Sequence, residues 1–250
     1  MTHISYRPSD LGSHRSGDLG SHRSGDLETV VPNVDARLHL DALVHRAVLR
    51  DLDRLISALA GPVTTVRRTA LIGHVTFLTA ELRRRRLVQD ELIWPRAVAR
   101  DPSLAGPAQD VLADHQAAGA ACAELVAAAQ RWARVGDAEH RLLLRDAVGE
   151  VAEVLPAVFG RETDVIPLAL AALTTHDWAV VERGTARRRR PTALARELFW
   201  LLDELDPASA AVLLAGVPPL RMWVLRNGFS GAYNRGSYLM WVGGGLDVPV

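Results

Sequence analysis

The sequence predicts an all-α protein: an up-down-up-down four-helix bundle over 34–175, then a small helical C-terminal extension over 176–250. Three observations carry this. Four long segments place apolar residues at spacings of three and four, and no window alternates like a strand. The connections between them are short and marked by Gly, Pro and Thr, which makes neighbouring helices antiparallel. Two stretches also echo each other: Gln89-Asp90-Glu91-Leu92-Ile93-Trp94-Pro95-Arg96-Ala97 and Arg161-Glu162-Thr163-Asp164-Val165-Ile166-Pro167-Leu168-Ala169. Each sets acidic residues before an apolar turn, a proline and an alanine. Each follows a histidine, His45 or His115, at a similar distance. This is the outline of a duplicated helical hairpin. Two such hairpins face to face enclose a polar pocket, a geometry proteins use to hold two metal ions.

The chain opens on a repeat. Residues 10–17 read DLGSHRSG, 18–25 repeat them letter for letter, and a third copy begins at Asp26-Leu27. One Leu per repeat buries too little apolar surface to offset the entropy of ordering, so 1–33 is expected to be disordered. A metal-scavenging tail through His14 and His22 is the functional alternative for it. The first helix, 34–60, carries Leu38, Val44, Val48, Leu52, Leu55 and Ile56 and stops before Gly61-Pro62. The second, 64–100, opens at Thr64-Thr65 and ends at Arg100-Asp101-Pro102. The third, 106–134, is rich in alanine, the best helix former, and stops at Gly136. The fourth, 138–173, runs to Thr174-Thr175. Pro95 and Pro167 lie inside the second and fourth patterns and should kink or end their helices at nearly one level. Shorter helices are expected around 176–184, 193–204 and 208–215, with the run Arg187 to Arg190 read as a solvated linker. Trp200, Trp223, Trp241, Tyr233 and Tyr238 then mark an aromatic, Gly-rich tail. The extension is too small for a core of its own, so it should cover an apolar face of the bundle; the rival reading is a surface for a protein partner.

Composition narrows the function classes. The 250 residues suit one domain of ~150 residues and an appendage. Net charge is +0 and the pI about 7.2, so no overall field draws the chain to nucleic acid or membrane. All 29 basic residues are arginine, a bias read as nucleotide composition. Cys122, the one cysteine, excludes an intrachain disulfide and fits a reducing compartment. The first ten residues hold no apolar run for a signal peptide, and no uncharged apolar stretch reaches ~18 residues. The expectation is a cytoplasmic protein. No Gly-rich phosphate loop, HExxH or nucleophile elbow is present, which argues against hydrolase or kinase chemistry.

The interior stripes nominate a site. They read Asp41, His45, Val48, Leu52, Leu55 on helix one and Leu78, Leu82, Arg85, Gln89, Leu92 on helix two. On helix three they read Ala108, Leu112, His115, Gly119, Cys122, Val126, and on helix four Val154, Ala157, Arg161, Val165, Leu168. His45, Arg85, Gln89, His115, Ala157 and Arg161 thus fall near one level of the interior. Arg83 to Arg86 are consecutive and sweep most of a helix circumference, so at least one must face inward. His74, His140 and His176 miss the stripes and are read as surface or boundary residues.

With these residues the chain resembles the hemerythrin-like proteins, the family with the HHE cation-binding domain, over about 35–173. The best segment is LVQDELIWPRA at the end of helix two. The family pattern there is two His, two spacers, Glu-Asp, a short apolar turn and Trp-Pro; helix four repeats it as a His, then Glu-Glu and a Pro. The resemblance implies a di-iron centre that binds dioxygen or nitric oxide or senses iron or redox state. A His and a Glu four apart share a helix face and can serve one metal pair. Carried over residue by residue, that site is mostly broken. His45 and His115 stand where ligands are expected, and Glu162 keeps the second acid of helix four. Arg85 replaces a His, Gln89 a Glu, Ala157 a His and Arg161 the first acid. Arg supplies no lone pair, because its pKa exceeds ~12. The expectation is a bundle with remnant ligands His45, His115 and Glu162, no cofactor, no enzymatic chemistry, and a binding or regulatory role. Arg85 and Arg161 would fill the vacated volume and pair with Glu162, Asp90 or Asp41, or snorkel to the bundle end. The alternative is an atypical iron or zinc centre that binds dioxygen or nitric oxide or senses redox state, including mononuclear zinc on His45, His115 and Glu162. A di-iron peroxidase stands behind both.

Overall fold

The structure is a computed structural model and describes residues 34–188, 191–203, 205–215 and 230–242. The expected disordered tail, the paired histidines in it, Arg189, Arg190 and Trp223 lie outside the described residues. Every described element is helical, with no strand among the described residues. Four long helical segments come first: α1 (Val34–Ala60), α2 (Thr65–Val88) continuing into α3 (Trp94–Arg100), α4 (Ala105–Val135) and α5 (Ala138–Ala172). They match the expected bounds to within about a residue or two. Then come α6 (Thr175–Arg187), α7 (Pro191–Leu202), α8 (Pro207–Ala215) and α9 (Ser230–Trp241).

Local chemistry sets the ends. Thr64 caps α2 by accepting from Arg67 N at 3.3 Å, and Asp137 caps α5 by accepting from His140 N at 2.8 Å. Gly136 closes α4 at φ 80, a left-handed turn that glycine takes without strain. Thr174 and Asp177 form a capping box at the start of α6. Between α2 and α3, residues Gln89–Ile93 form a π-turn in which Trp94 N–H bonds Gln89 O, five residues back. Pro95 has no N–H to give, and it falls in the first turn of α3, where none is needed. Pro167 does not end its helix: α5 runs through both Pro156 and Pro167.

The core has two parts. One joins α1, α2, α4 and α5 through Val48, Leu55, Leu78, Leu125, Leu144 and Leu155, with Trp200 and Met240 of the extension built into it. The other joins the π-turn and α3 to α4, α5 and α6 through Ile93, Trp94, Val111, Ile166, Leu170 and Trp178. A polar layer separates them. It crosses α1 at Asp41 and His45, α2 at Arg85, the start of the π-turn at Gln89, α4 at His115 and α5 at Glu162.

The extension does cover the α1 and α2 faces, and a buried carboxylate holds it there. Asp51, 1% exposed, accepts from His74 Nε2 at 2.7 Å, Trp200 Nε1 at 2.9 Å and Arg50 Nε at 2.8 Å. Arg54 reaches Asp203 at 2.8 Å, and Arg67 Nε donates to Met240 O at 3.0 Å. His74 therefore corrects an expectation: it is buried, because α2 turns it toward Asp51 and the extension rather than the interior stripe. His176 is exposed, and His140 is partly so, beside its capping Asp137. The tail is helical where described, over α9.

Candidate functional site

The polar layer is a chain of hydrogen bonds across four elements, the π-turn, α4, α5 and α1. Glu162 of α5 is buried and uses both oxygens: Oε1 meets His115 Nε2 at 2.7 Å and Oε2 meets His45 Nε2 at 2.9 Å. His115 is buried on α4, and its Nδ1 meets Asp90 Oδ1 of the π-turn at 2.6 Å. The His45 ring stacks on Phe159, centroids 3.9 Å apart and planes 6° from parallel. Burial alone would push the His115 pKa down. Its bonds to Asp90 and Glu162 outweigh that and raise it from 6.5 to about 9. Burial would likewise raise Glu162, but its bonds from His115 and His45 hold it at about 2. The layer is thus an anion–cation–anion chain, Asp90–His115–Glu162, continued to His45.

The three remnant ligands that the family resemblance implied, His45, His115 and Glu162, come together. The arginines divide. Arg85 turns in and pairs with Asp41. Arg161 does not. It lies exposed and bonds Asp114 at 2.5 Å, with Asp110 at 3.8 Å. Ala157 is exposed too, and Leu168 is 54% exposed. The reason is register. The buried face of α5 runs Val151, Leu155, Val158, Phe159, Glu162, Ile166, about one residue, or ~100°, from the expected stripe. The inward position four before Glu162 is therefore Val158, not Ala157. Gln89 is 5% exposed, and its Oε1 is buried without a hydrogen-bond partner. Among the other arginines of the run, Arg84 reaches Glu81 and, at 3.4 Å, the buried Glu197. Arg86 donates to His115 O at 2.9 Å.

Beside this layer lies a cavity of about 440 Å³. Its polar end includes His45, His115 and Glu162, and its apolar wall includes Ala118, Val126 and Leu155. It exists because α2 and α4 face each other there through small residues, Thr79, Ala80, Gly119 and Ala123. Cys122 is half-buried on this wall, and burial raises its thiol pKa.

A di-iron centre in a helical bundle takes about six protein donors from four helices. The donors that converge here are His45, His115 and Glu162, with Asp90 behind His115. Arg85 and Val158 occupy the positions four before Gln89 and Glu162, and neither is a donor. The orphaned Gln89 Oε1 adds only a neutral oxygen. The residues present therefore do not fit a di-iron centre, and among the described residues no group of three or more His, Cys, Asp or Glu is placed to hold a metal ion. Likewise, no helix among the described residues is long and apolar enough to cross a membrane. Comparison with protein-family models, curated proteins and solved structures returned no match.

Sequence reasoning missed the cavity, the Phe159 stack and the Asp51–His74–Trp200 cluster. Only the first had a readable signal, in the facing runs of small residues on α2 and α4.

Proposed function

We propose that this chain is a hemerythrin-like four-helix bundle, α1, α2–α3, α4 and α5 running up, down, up and down. It acts as a metal-independent binding module rather than as an oxygen carrier or an enzyme. The observation that carries the reading is the mutual pairing of Asp90, His115, Glu162 and His45 beside the cavity. Both oxygens of Glu162 are taken by histidine nitrogens, and the outer nitrogen of His115 is taken by Asp90. Protons thus fill the positions between these groups, and the cavity next to them is of a size typical for small-molecule sites, ~300–1,000 Å³.

One observation favours a second reading, an atypical iron or zinc centre. His115 backed by a carboxylate on its far nitrogen is the arrangement that metal-binding histidines use. Metal analysis of the purified full chain separates the two. The module is expected to carry substoichiometric iron and zinc, and its cooperative melt should be unmoved by chelator, since chelators unfold metal-dependent domains. About two irons per chain with a visible absorption band would end the proposal. One tightly held zinc would favour the second reading.

A further inference from the structure

We propose that the cavity binds an amphipathic organic acid, with its carboxylate at the arginine face of α2 and its apolar body along Ala118, Val126 and Leu155. This rests on the binding-module reading and names its ligand class. Size comes first. About 440 Å³ has room for roughly fifteen waters at ~30 Å³ each, far more than an inorganic anion fills. A small ion would leave Leu82, Val158 and Phe159 wet, so the ligand needs an apolar body.

Charge decides the head group. Arg83, Arg85 and Arg86, three of the four arginines in the run on α2, all line the cavity. Arg85 is committed to Asp41. Arg86 spends one nitrogen on the His115 carbonyl at 2.9 Å and stands 3.9 Å from Asp90, which leaves further N–H groups on its fork. Arg83 is exposed and makes no ion pair among the described residues. The one acid in the wall, Glu162, has both oxygens bonded to histidines. The wall therefore offers donors and withholds acceptors, which selects an anion over a cation. The Arg86 guanidinium lies against Gly119 of α4, where a Cβ would meet Nη1 and push this side-chain end aside. An arginine fork matches a carboxylate in shape as well as charge.

The test is calorimetric titration of the full chain with decanoate, decanol and inorganic phosphate, below micelle formation. Decanoate is expected to bind once per chain with a negative heat-capacity change, the mark of buried apolar surface. Decanol should bind about tenfold or more weakly, and phosphate should not compete. Arg83→Gln and Arg86→Gln should each weaken decanoate about tenfold and leave decanol unchanged. Ala118→Trp should fill the cavity and abolish both; if it fails to fold, the arginine variants still decide. Decanol binding as tightly as decanoate overturns the acid assignment and leaves a metal-independent module standing. Competition by phosphate alone, full decanoate affinity in both arginine variants, or no saturable binding of any probe overturns the inference. Iron content is read separately, so loss of the module reading shows as bound metal and not as a failed titration.

Discussion

The Asp90–His115–Glu162 chain makes stability depend on pH in a defined direction. His115 is 3% exposed, and its folded pKa is raised from 6.5 to about 9. A raised folded value means that the native state holds the proton more tightly than the unfolded chain. The contribution is fully present below about pH 6.5 and is lost as pH rises through about 9. The difference corresponds to about 3 kcal/mol at one histidine. Glu162 works in the opposite sense. Its folded value is depressed from 4.5 to about 2, so its contribution is present above about pH 4.5 and is lost as pH falls toward 2. The His115–Glu162 attraction is common to both and counts once. Stability should therefore be flat between about pH 4.5 and 6.5 and should decline on either side. The assay is urea unfolding followed by helical circular dichroism from about pH 6 to pH 10, with the midpoint read at constant slope. Burial also raises the Cys122 thiol, which adds a loss of the same sign at high pH, so the series is run on Cys122→Ala. In that background His115→Gln should be less stable at about pH 6 and should lose most of the slope between pH 6 and 9. If His115→Gln keeps the parental slope, or if the parent is flat to pH 9, His115 does not carry the buried charge and the reasoning fails.

Two further outcomes follow from placement. Asp51→Ala leaves His74 and Trp200 with buried donors and no acceptor, and leaves Arg50 only its hydrogen bonds to the Asp203 and Trp200 carbonyls. It should cost about 3–5 kcal/mol and make the chain after α6 an early target in limited proteolysis, and an unchanged digestion pattern would count against the anchoring role. Arg161→Ala should change stability by no more than about 0.5 kcal/mol, because its pairs with Asp114 and Asp110 are solvent-screened, whereas Arg85→Ala should cost about 1–3 kcal/mol by leaving the half-buried Asp41 short of its partner. The reverse order in urea melts would contradict the placement of both.

Helix ends were legible because they rest on local chemistry. Gly61-Pro62, Gly136 and Thr174 punctuate the chain wherever the fold puts them, and each marks an end found within a residue or two. His45 and His115 were legible because helical spacing puts both on interior stripes at one level, whereas Glu162 was reached only through the family resemblance. Rotation about the helix axis was not legible. On α5 the family-like pattern drew the stripe through Ala157 and Arg161. Leu155, Val158 and Ile166 sit one position along from that stripe with Phe159 beside them, and apolar area, not pattern, chooses the buried face. On α2 the π-turn inserts one residue into the register. Ile93 therefore packs inside where Leu92 was expected, and only Pro95 hints at it. Asp51 and His74 sit on different helices and bond each other directly, with Trp200 of the extension joining them, so no spacing rule within one helix reaches them.

The same register explains why a cavity persists at all. In the hemerythrin-like reading, two arginines were expected to fill the space where ligands are missing. Had α5 been turned the expected way, Arg161 would point at His45 and His115, and a second inward cation beside Arg85 would need a buried carboxylate of its own. With the observed turn, Arg161 satisfies itself on the surface carboxylates of α4, and Val158 stands at the inward position. Val158 is smaller than an imidazole and Gly119 has no side chain, so the helices leave a gap that neither Arg85 nor Arg86 enters fully. The polar groups at its edge do not depend on whatever fills it, because Asp90, His115, Glu162 and His45 already bond to one another. A pocket whose edge is satisfied without an occupant can fill and empty without unfolding the helices, which is what a reversible binding module requires and a structural metal site does not.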